Sequence, residues 1–236
     1  MLNIFRRNPY LKKIFYTFSP KWLFLLDPHR FSQRKHWKEQ DKGDNHGYDN
    51  YTSLLEKHTA VFLKEVNQRL KKDDSILDLG CNCAVVLNLL KENAYKRLAG
   101  VDLNIKAIEY GKNKFDLKGV ELMIGSYEEV LPRLIRENRK FDLVYSAGAS
   151  ISLVHPSFDI IRNICQVTGK YVILLDEDNL GFAYPRLWEY EFNRWGFTLV
   201  KLLRPSDGRD ESLNELYPVS SLMVFRRIKK DGLNDK

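Results

Sequence analysis

From Ser75 onward the chain alternates short apolar runs with segments of helical period, and few folds accept that order. The runs are Ser75–Leu79 (SILDL), Arg97–Asp102 (RLAGVD), Glu121–Gly125 (ELMIG), Asp142–Ser146 (DLVYS) and Tyr171–Asp176 (YVILLD). Helical patterns lie between them at 84–94, 105–115, 127–138 and 156–167. Strands separated by single helices join into a parallel sheet through right-handed crossovers. Their nearly unbroken apolar character predicts strands covered on both faces. The tail changes pattern: a helix at 184–195, a strand at Phe197–Leu202, a loop at 204–217 and a strand at Ser221–Arg227. With no helix between them, the last two strands are expected to pair antiparallel. The predicted fold is therefore α/β: a doubly wound, mostly parallel seven-stranded sheet with a reversed C-terminal strand and helices on both faces.

Ahead of this pattern stands a different kind of sequence. Leu54, Leu55, Val61, Phe62, Val66 and Leu70 fall at helical spacing, so residues 51–70 read as an amphipathic helix. Residues 1–50 mix basic and aromatic side chains with breaks at Pro9, Pro20 and Pro28, and end in the polar stretch Asp41–Asn50. The expected division is an N-terminal helical extension at 1–50, acting as lid or cap, and an α/β domain at 51–236. The net charge of +7 is concentrated in residues 1–42, which hold 10 Lys/Arg against 3 acids, and residues 43–236 are neutral. Basic groups beside aromatics suit phosphate backbones and anionic headgroups alike. A weak membrane-surface or nucleic-acid contact thus stands beside the lid reading.

Three cysteines, two of them in a C-x-C spacing (Cys81 and Cys83), make neither a disulfide framework nor a zinc site. A reducing cytoplasm is the expected compartment. No apolar run approaches the roughly 20 residues needed to span a bilayer, and the first 20 residues lack the apolar core of a signal peptide.

The chemistry is concentrated where the first strand ends, at Ile76-Leu77-Asp78-Leu79-Gly80-Cys81-Asn82-Cys83-Ala84. A glycine directly after an apolar strand lets the backbone turn sharply and approach a ligand. The helix that follows presents unpaired N–H groups to an anion. Asn82 stands where left-handed backbone is often required, and Asn tolerates it better than most residues. Asp102 ends the second strand, where a carboxylate can accept both hydroxyls of a ribose. No G-x-G-x-x-G follows the first strand, which disfavours a dinucleotide dehydrogenase.

ILDLGCNCA followed by LAGVDLN resembles the first two motifs of the class I S-adenosylmethionine-dependent methyltransferases. MIGSYEEV, FDLVYSAGASI and the tail WEYEFNRWGFTLVKLL…SLMVFRRI follow in the family's order, so the resemblance covers about residues 53–230. The family loop is D/E-x-G-x-G-x-G; Asp78 and Gly80 match it, while Asn82 and Ala84 stand where glycines are commoner. The resemblance implies S-adenosyl-L-methionine as cofactor. The loop of Asp78, Gly80, Cys81 and Asn82 would hold its methionine end and Asp102 its ribose. Leu103 would lie on the adenine, with Ser126 and Tyr127 at the adenine edge. Ser146, Ala147 and Gly148 would line the reaction chamber.

Methyl transfer from a sulfonium demands alignment above all, and a hydroxyl acceptor also gains from a general base. His155, just past the fourth strand, is the candidate base, although His-Pro at a helix start also reads as a turn and cap. Asp176, Glu177 and Asp178 read either as a solvated strand end or as carboxylates orienting a polyhydroxylated substrate. Trp188 and Trp195, seven apart, predict core packing. The expected function is O- or N-methylation of a small molecule or saccharide. A nucleic-acid methyltransferase docking through its basic extension is the alternative, opposed by the absence of N-P-P-Y and Pro-Cys motifs. A non-catalytic binding protein with the same fold is a third reading, permitted by Asn82 and Ala84.

Overall fold

The computed structural model describes residues 8–26, 32–40, 61–148, 151–176, 184–207 and 219–228. The sheet consists of β1 (Ser75–Leu79), β2 (Arg97–Asp102), β3 (Glu121–Ile124), β4 (Phe141–Ala147), β5 (Thr168–Asp176), β6 (Phe197–Leu203) and β7 (Ser221–Arg227). Their order is β3-β2-β1-β4-β5-β7-β6. Parallel pairing runs from β3 to β5, and β7 inserts antiparallel between β5 and β6. That is the predicted sheet, with β7 as its reversed strand.

Alternate residues of each central strand feed opposite cores. Leu77 of β1, Val144 of β4, Leu174 of β5 and Phe225 of β7 join one cluster. Their neighbours Ile76, Leu143, Ile173 and Val224 join the other. Both faces are therefore buried, which is why these runs show no polar alternation. Before the sheet come α1 (Pro9–Phe18), a 3₁₀ turn (Lys21–Leu26), α2 (Ser32–Glu39) and α3, helical over 61–67. Helix α3, through Phe62 and Val66, and α4 (Val85–Glu92), through Leu87 and Leu90, cover the second cluster. The helices α6 (Tyr127–Arg136), α7 (Ile160–Val167) and α8 (Trp188–Asn193) cover the first. Helix α5 (Ile105–Lys114) connects β2 to β3. Trp188 is buried in the first cluster and Trp195 packs against it, as expected.

Among the described residues, the starts of three elements differ from the sequence pattern by three residues or more, the other starts by at most one. Strand β5 begins at Thr168 rather than Tyr171, because Thr168 pairs with Phe141 across a register shift. Helix α7 begins at Ile160 rather than 156, since residues 155–158 form a turn and Asp159 caps the helix by accepting from Arg162 N–H. Helix α8 begins at Trp188 rather than 184: Tyr184 is held out of helical backbone by donating its N–H to Ser152 C=O at 2.8 Å. The first half of the 51–70 helix, the stretch 41–50 and most of the 204–217 loop lie outside the described residues.

Candidate functional site

Strands β1 and β4 are neighbours although not consecutive, and the crevice between their carboxyl ends is where open α/β sheets bind ligands. A cavity opens there. Its floor comes from the strand exits: Gly80 and Asn82 after β1, Asp102 and Leu103 at β2, Ser126 and Tyr127 after β3, Ala147 and Gly148 at β4.

The loop after β1 carries three left-handed residues at alternate positions, Gly80 (φ 82°), Asn82 (φ 46°) and Ala84 (φ 60°). The glycine conformation is thus retained at the two positions where the sequence departs from glycine. Asn82 stabilises its own turn, its Oδ1 accepting from Cys83 N–H at 2.7 Å. Ala84 leaves its methyl fully buried against the second core cluster, an apolar contact glycine would lack. The loop is tied to β2 by Gly80 N–H and Cys81 N–H, which both donate to Val101 C=O at 2.8 and 3.1 Å. From below, Gly111 of α5 presses on Cys83: a Cβ there would lie 2.2 Å from the Cys83 carbonyl oxygen. Only glycine lets α5 support the loop so closely.

Asp102 is fixed by backbone. Its Oδ2 accepts from Asn82 N–H and its Oδ1 from Asn104 N–H, each at 2.8 Å. Burial pushes the carboxyl pKa up, and these N–H donors, with that of Leu103, oppose the rise. Each oxygen keeps acceptor capacity for a further donor. Asn104 serves three purposes at once. Beyond holding Asp102, it caps α5 through Ala107 N–H and donates its Nδ2 to the Gln40 carbonyl at 2.8 Å.

The extension forms the opposite wall. Trp37 and Gln40 line the cavity, as do Leu153, Val154, His155 and Tyr184. Phe24 packs edge-on to His155 and Tyr16 edge-on to Tyr184, with ring centroids 6.4 and 5.4 Å apart. His155 is buried, and its Nδ1 lies 2.8 Å from Ser157 Oγ. A buried polar chain anchors this wall: Thr17 Oγ1 donates to Glu191, and Glu191 pairs with Arg186 at 3.1 Å. Arg186 in turn reaches Val154 C=O. Gln40 is 4% exposed, and among the described residues its Nε2 has no hydrogen-bond partner. A buried amide donor left unmade costs about 1–3 kcal/mol, a cost the amide would shed by turning to an acceptor in the cavity that Gln40 lines.

Nine sequence-nominated residues therefore meet in one cavity: Gly80, Asn82, Asp102, Leu103, Ser126, Tyr127, Ala147, Gly148 and His155. Four others sit behind it. Asp78 is buried and accepts from Tyr145 O–H at 2.6 Å; burial raises its pKa to about 8. Cys81 turns its thiol toward Leu87 and Gly100, and burial pushes the thiol well up. Ser146 donates its hydroxyl to Leu79 C=O at 2.8 Å, bracing the exit of β1. Asp176 is neither solvated nor in the cavity. Its Oδ2 accepts from Ile151 and Ser152 N–H at 3.0 and 3.2 Å, holding the loop that carries His155. Glu177 and Asp178 lie outside the described residues.

Trp37, Gln40, Asn104, Glu128, Leu153, Val154 and Tyr184 were not nominated from sequence. Of these, Asn104 lies inside LAGVDLN and Glu128 inside MIGSYEEV, and Leu153 and Val154 directly precede His155; Trp37, Gln40 and Tyr184 have no local signature.

Residues 76–170 match the methyltransferase domain family. No protein of curated function matches the sequence. Solved structures with the same fold include magnesium protoporphyrin IX methyltransferase from Synechocystis PCC 6803 with bound S-adenosylmethionine. It is 13% identical at a TM-score of 0.54, covering 89% of this chain and 98% of that one. An S-adenosylmethionine-dependent methyltransferase from Mesorhizobium loti is 17% identical at 0.54, covering 77% of this chain and 100% of that one. A TehB-like methyltransferase from Corynebacterium glutamicum is 16% identical at 0.54, covering 76% and 97%. At such identities the likeness establishes the fold.

Proposed function

Since this chain is a class I S-adenosylmethionine-dependent methyltransferase, its methyltransferase domain matched over residues 76–170, we propose that it methylates an oxygen or nitrogen of a small molecule or saccharide by direct transfer. The observation that carries the reading is the backbone-held Asp102 carboxylate, facing a cavity whose other wall bears His155. We read residues 1–50 as a lid over the catalytic domain 51–236, in a reducing cytoplasm that suits three buried cysteines held outside disulfides. A roofed chamber suits a compact acceptor better than a nucleic-acid duplex.

The residues present fit the cofactor. Asp102 has acceptor capacity left for ribose hydroxyls, and the left-handed loop at Gly80, Asn82 and Ala84 keeps side chains clear of the ligand path. Leu103 and Tyr127 offer apolar surface to the adenine, and Glu128 a carboxylate near its edge. Gln40 Nε2, next to Asn104, supplies a donor from the lid side. When bound, the cofactor supplies an electrophilic methyl on a sulfonium. Nδ1 of His155 accepts from Ser157 N–H at 3.3 Å and lies 2.8 Å from Ser157 Oγ, so Nε2 would take the acceptor's proton in the tautomer that gives up the backbone bond and donates Nδ1–H to the hydroxyl instead. Ser157 thus orients the base, and Asp176 positions the loop that bears it.

The test is calorimetric titration with S-adenosylmethionine and S-adenosylhomocysteine. Asp102→Ala should weaken binding by about 1–3 kcal/mol, roughly 5- to 150-fold. Unchanged affinity in the variant would remove Asp102 from the site, and no binding by the native chain would restore the non-catalytic reading.

A further inference from the structure

The extension has two faces with different partners. On its inner side Trp37 and Gln40 line the cavity, while Tyr16 and Phe24 pack behind it on Tyr184 and His155. Its outer face leaves Tyr10, Phe18, Trp22, Leu25 and Leu26 in water, Trp22 at 65% and Leu26 at 75% exposure. These are five of the eleven large hydrophobic side chains exposed among the described residues, and all five fall within residues 10–26. A sixth, Tyr190, joins them by packing on Phe18, ring centroids 5.0 Å apart. Scattered exposed apolar residues are ordinary, whereas five within 17 consecutive residues, Tyr10 to Leu26, mark a candidate contact surface.

We propose that this outer face docks the enzyme on an anionic lipid bilayer surface. Charge selects the partner: the ten Lys/Arg against three acids of residues 1–42 lie in the same stretch of chain, while the remaining sequence is neutral. A second copy is disfavoured, because a symmetric contact through this face would bring two +7 segments together. Nucleic acid offers phosphates to the lysines but nothing to Leu25 and Leu26, which can neither stack nor pair. A bilayer satisfies both requirements. Trp and Leu enter the headgroup–acyl boundary while Lys and Arg meet anionic headgroups. Docking would be peripheral, since among the described residues no helix is long and apolar enough to cross a membrane. The docking face is independent of the acceptor's identity, although a lid fixed to a bilayer rests on the functional reading above.

Co-sedimentation of the full chain tests it, with vesicles of phosphatidylcholine alone or mixed with phosphatidylglycerol, at low and high salt. A variant combining Trp22→Ser, Leu25→Ser and Leu26→Ser is run beside it. The native chain should bind the mixed vesicles, bind pure phosphatidylcholine weakly, and lose affinity with salt. The triple variant should bind at least about tenfold more weakly while its S-adenosylhomocysteine affinity is unchanged, which shows an intact fold. Absence of vesicle binding at low salt would overturn the proposal, as would equal binding by the variant. So would a dimer that the same substitutions dissolve, or an RNA affinity that survives them without any vesicle binding. Loss of nucleoside binding in the native chain would instead sink the functional reading, which the vesicle result does not touch.

Discussion

Between Gly80 and Gly148 the cavity is walled by strand exits and first helical turns that follow one another along the chain. Across from them the wall comes from Trp37 and Gln40, Leu153–His155 and Tyr184, three segments far apart in sequence. The half proposed for the cofactor is made largely of backbone: positive φ at Gly80, Asn82 and Ala84, and N–H groups locking Asp102. The half proposed for the acceptor is made of side chains, backed by ring-on-ring contacts and a buried Thr17–Glu191–Arg186 chain. Backbone geometry repeats wherever the same turn is needed. Side-chain walls are specific to one assembly, and under the proposed function acceptor choice would reside there.

If the two halves are separable, substitutions should divide cleanly between binding and turnover. The largest effect is expected from His155→Ala, read by methyl transfer from radiolabelled S-adenosylmethionine to an acceptor found by screening. Turnover should fall roughly 10²–10⁴-fold with S-adenosylhomocysteine affinity nearly unchanged. A near-native rate would strip His155 of a basic role.

Gly111→Ala probes the other half from beneath. Its Cβ would press on the Cys83 carbonyl, so α5 or the loop must move. A loss of about 1–3 kcal/mol in stability should accompany weaker S-adenosylhomocysteine binding. Denaturant unfolding and calorimetry together check it; intact affinity would show that the loop does not depend on α5.

Gln40→Ala tests the seam. The backbone carbonyl that holds Asn104 remains, and only the unpartnered amide is lost. Affinity should drop by about 0.5–1.5 kcal/mol with no loss of stability in the ligand-free protein. A destabilised protein with native affinity would make Gln40 a packing residue alone.

The gentlest expectation is a slope with pH. Asp78 titrates near 3.8 when unperturbed and at about 8 when buried in the fold. Between those values the native state holds a proton that the unfolded state has released, so stability should fall as pH rises through that window. Asp78→Asn should flatten the dependence in melts from mildly acidic to mildly alkaline pH, and a persistent slope would assign it to another group.

Much of the sheet was legible because its strands are buried on both faces, so apolar runs such as Ile76–Leu79 and Val172–Leu175 stand out. The tail boundaries were less legible. Tyr184 looks helical by pattern, but its N–H goes to Ser152, a contact the local sequence does not announce. Asp176 reads as a strand-end carboxylate and proves to be a brace for a loop, because Ile151 and Ser152 fold back upon it.

The sequence alone determined the order of strands and helices, the turn after β1 and the acidic end of β2. Each depends on periodicity or on the backbone preferences of residues adjacent in the chain. Tertiary structure alone decided that Asp78, Cys81 and Ser146 face away from the cavity. It also decided that Trp37 and Gln40 line the cavity, and that residues 10–26 pack on His155 and Tyr184 behind it while leaving Trp22 and Leu26 in water. Those outcomes depend on which distant segments pack together, and packing is a property of the assembled chain that no local pattern encodes.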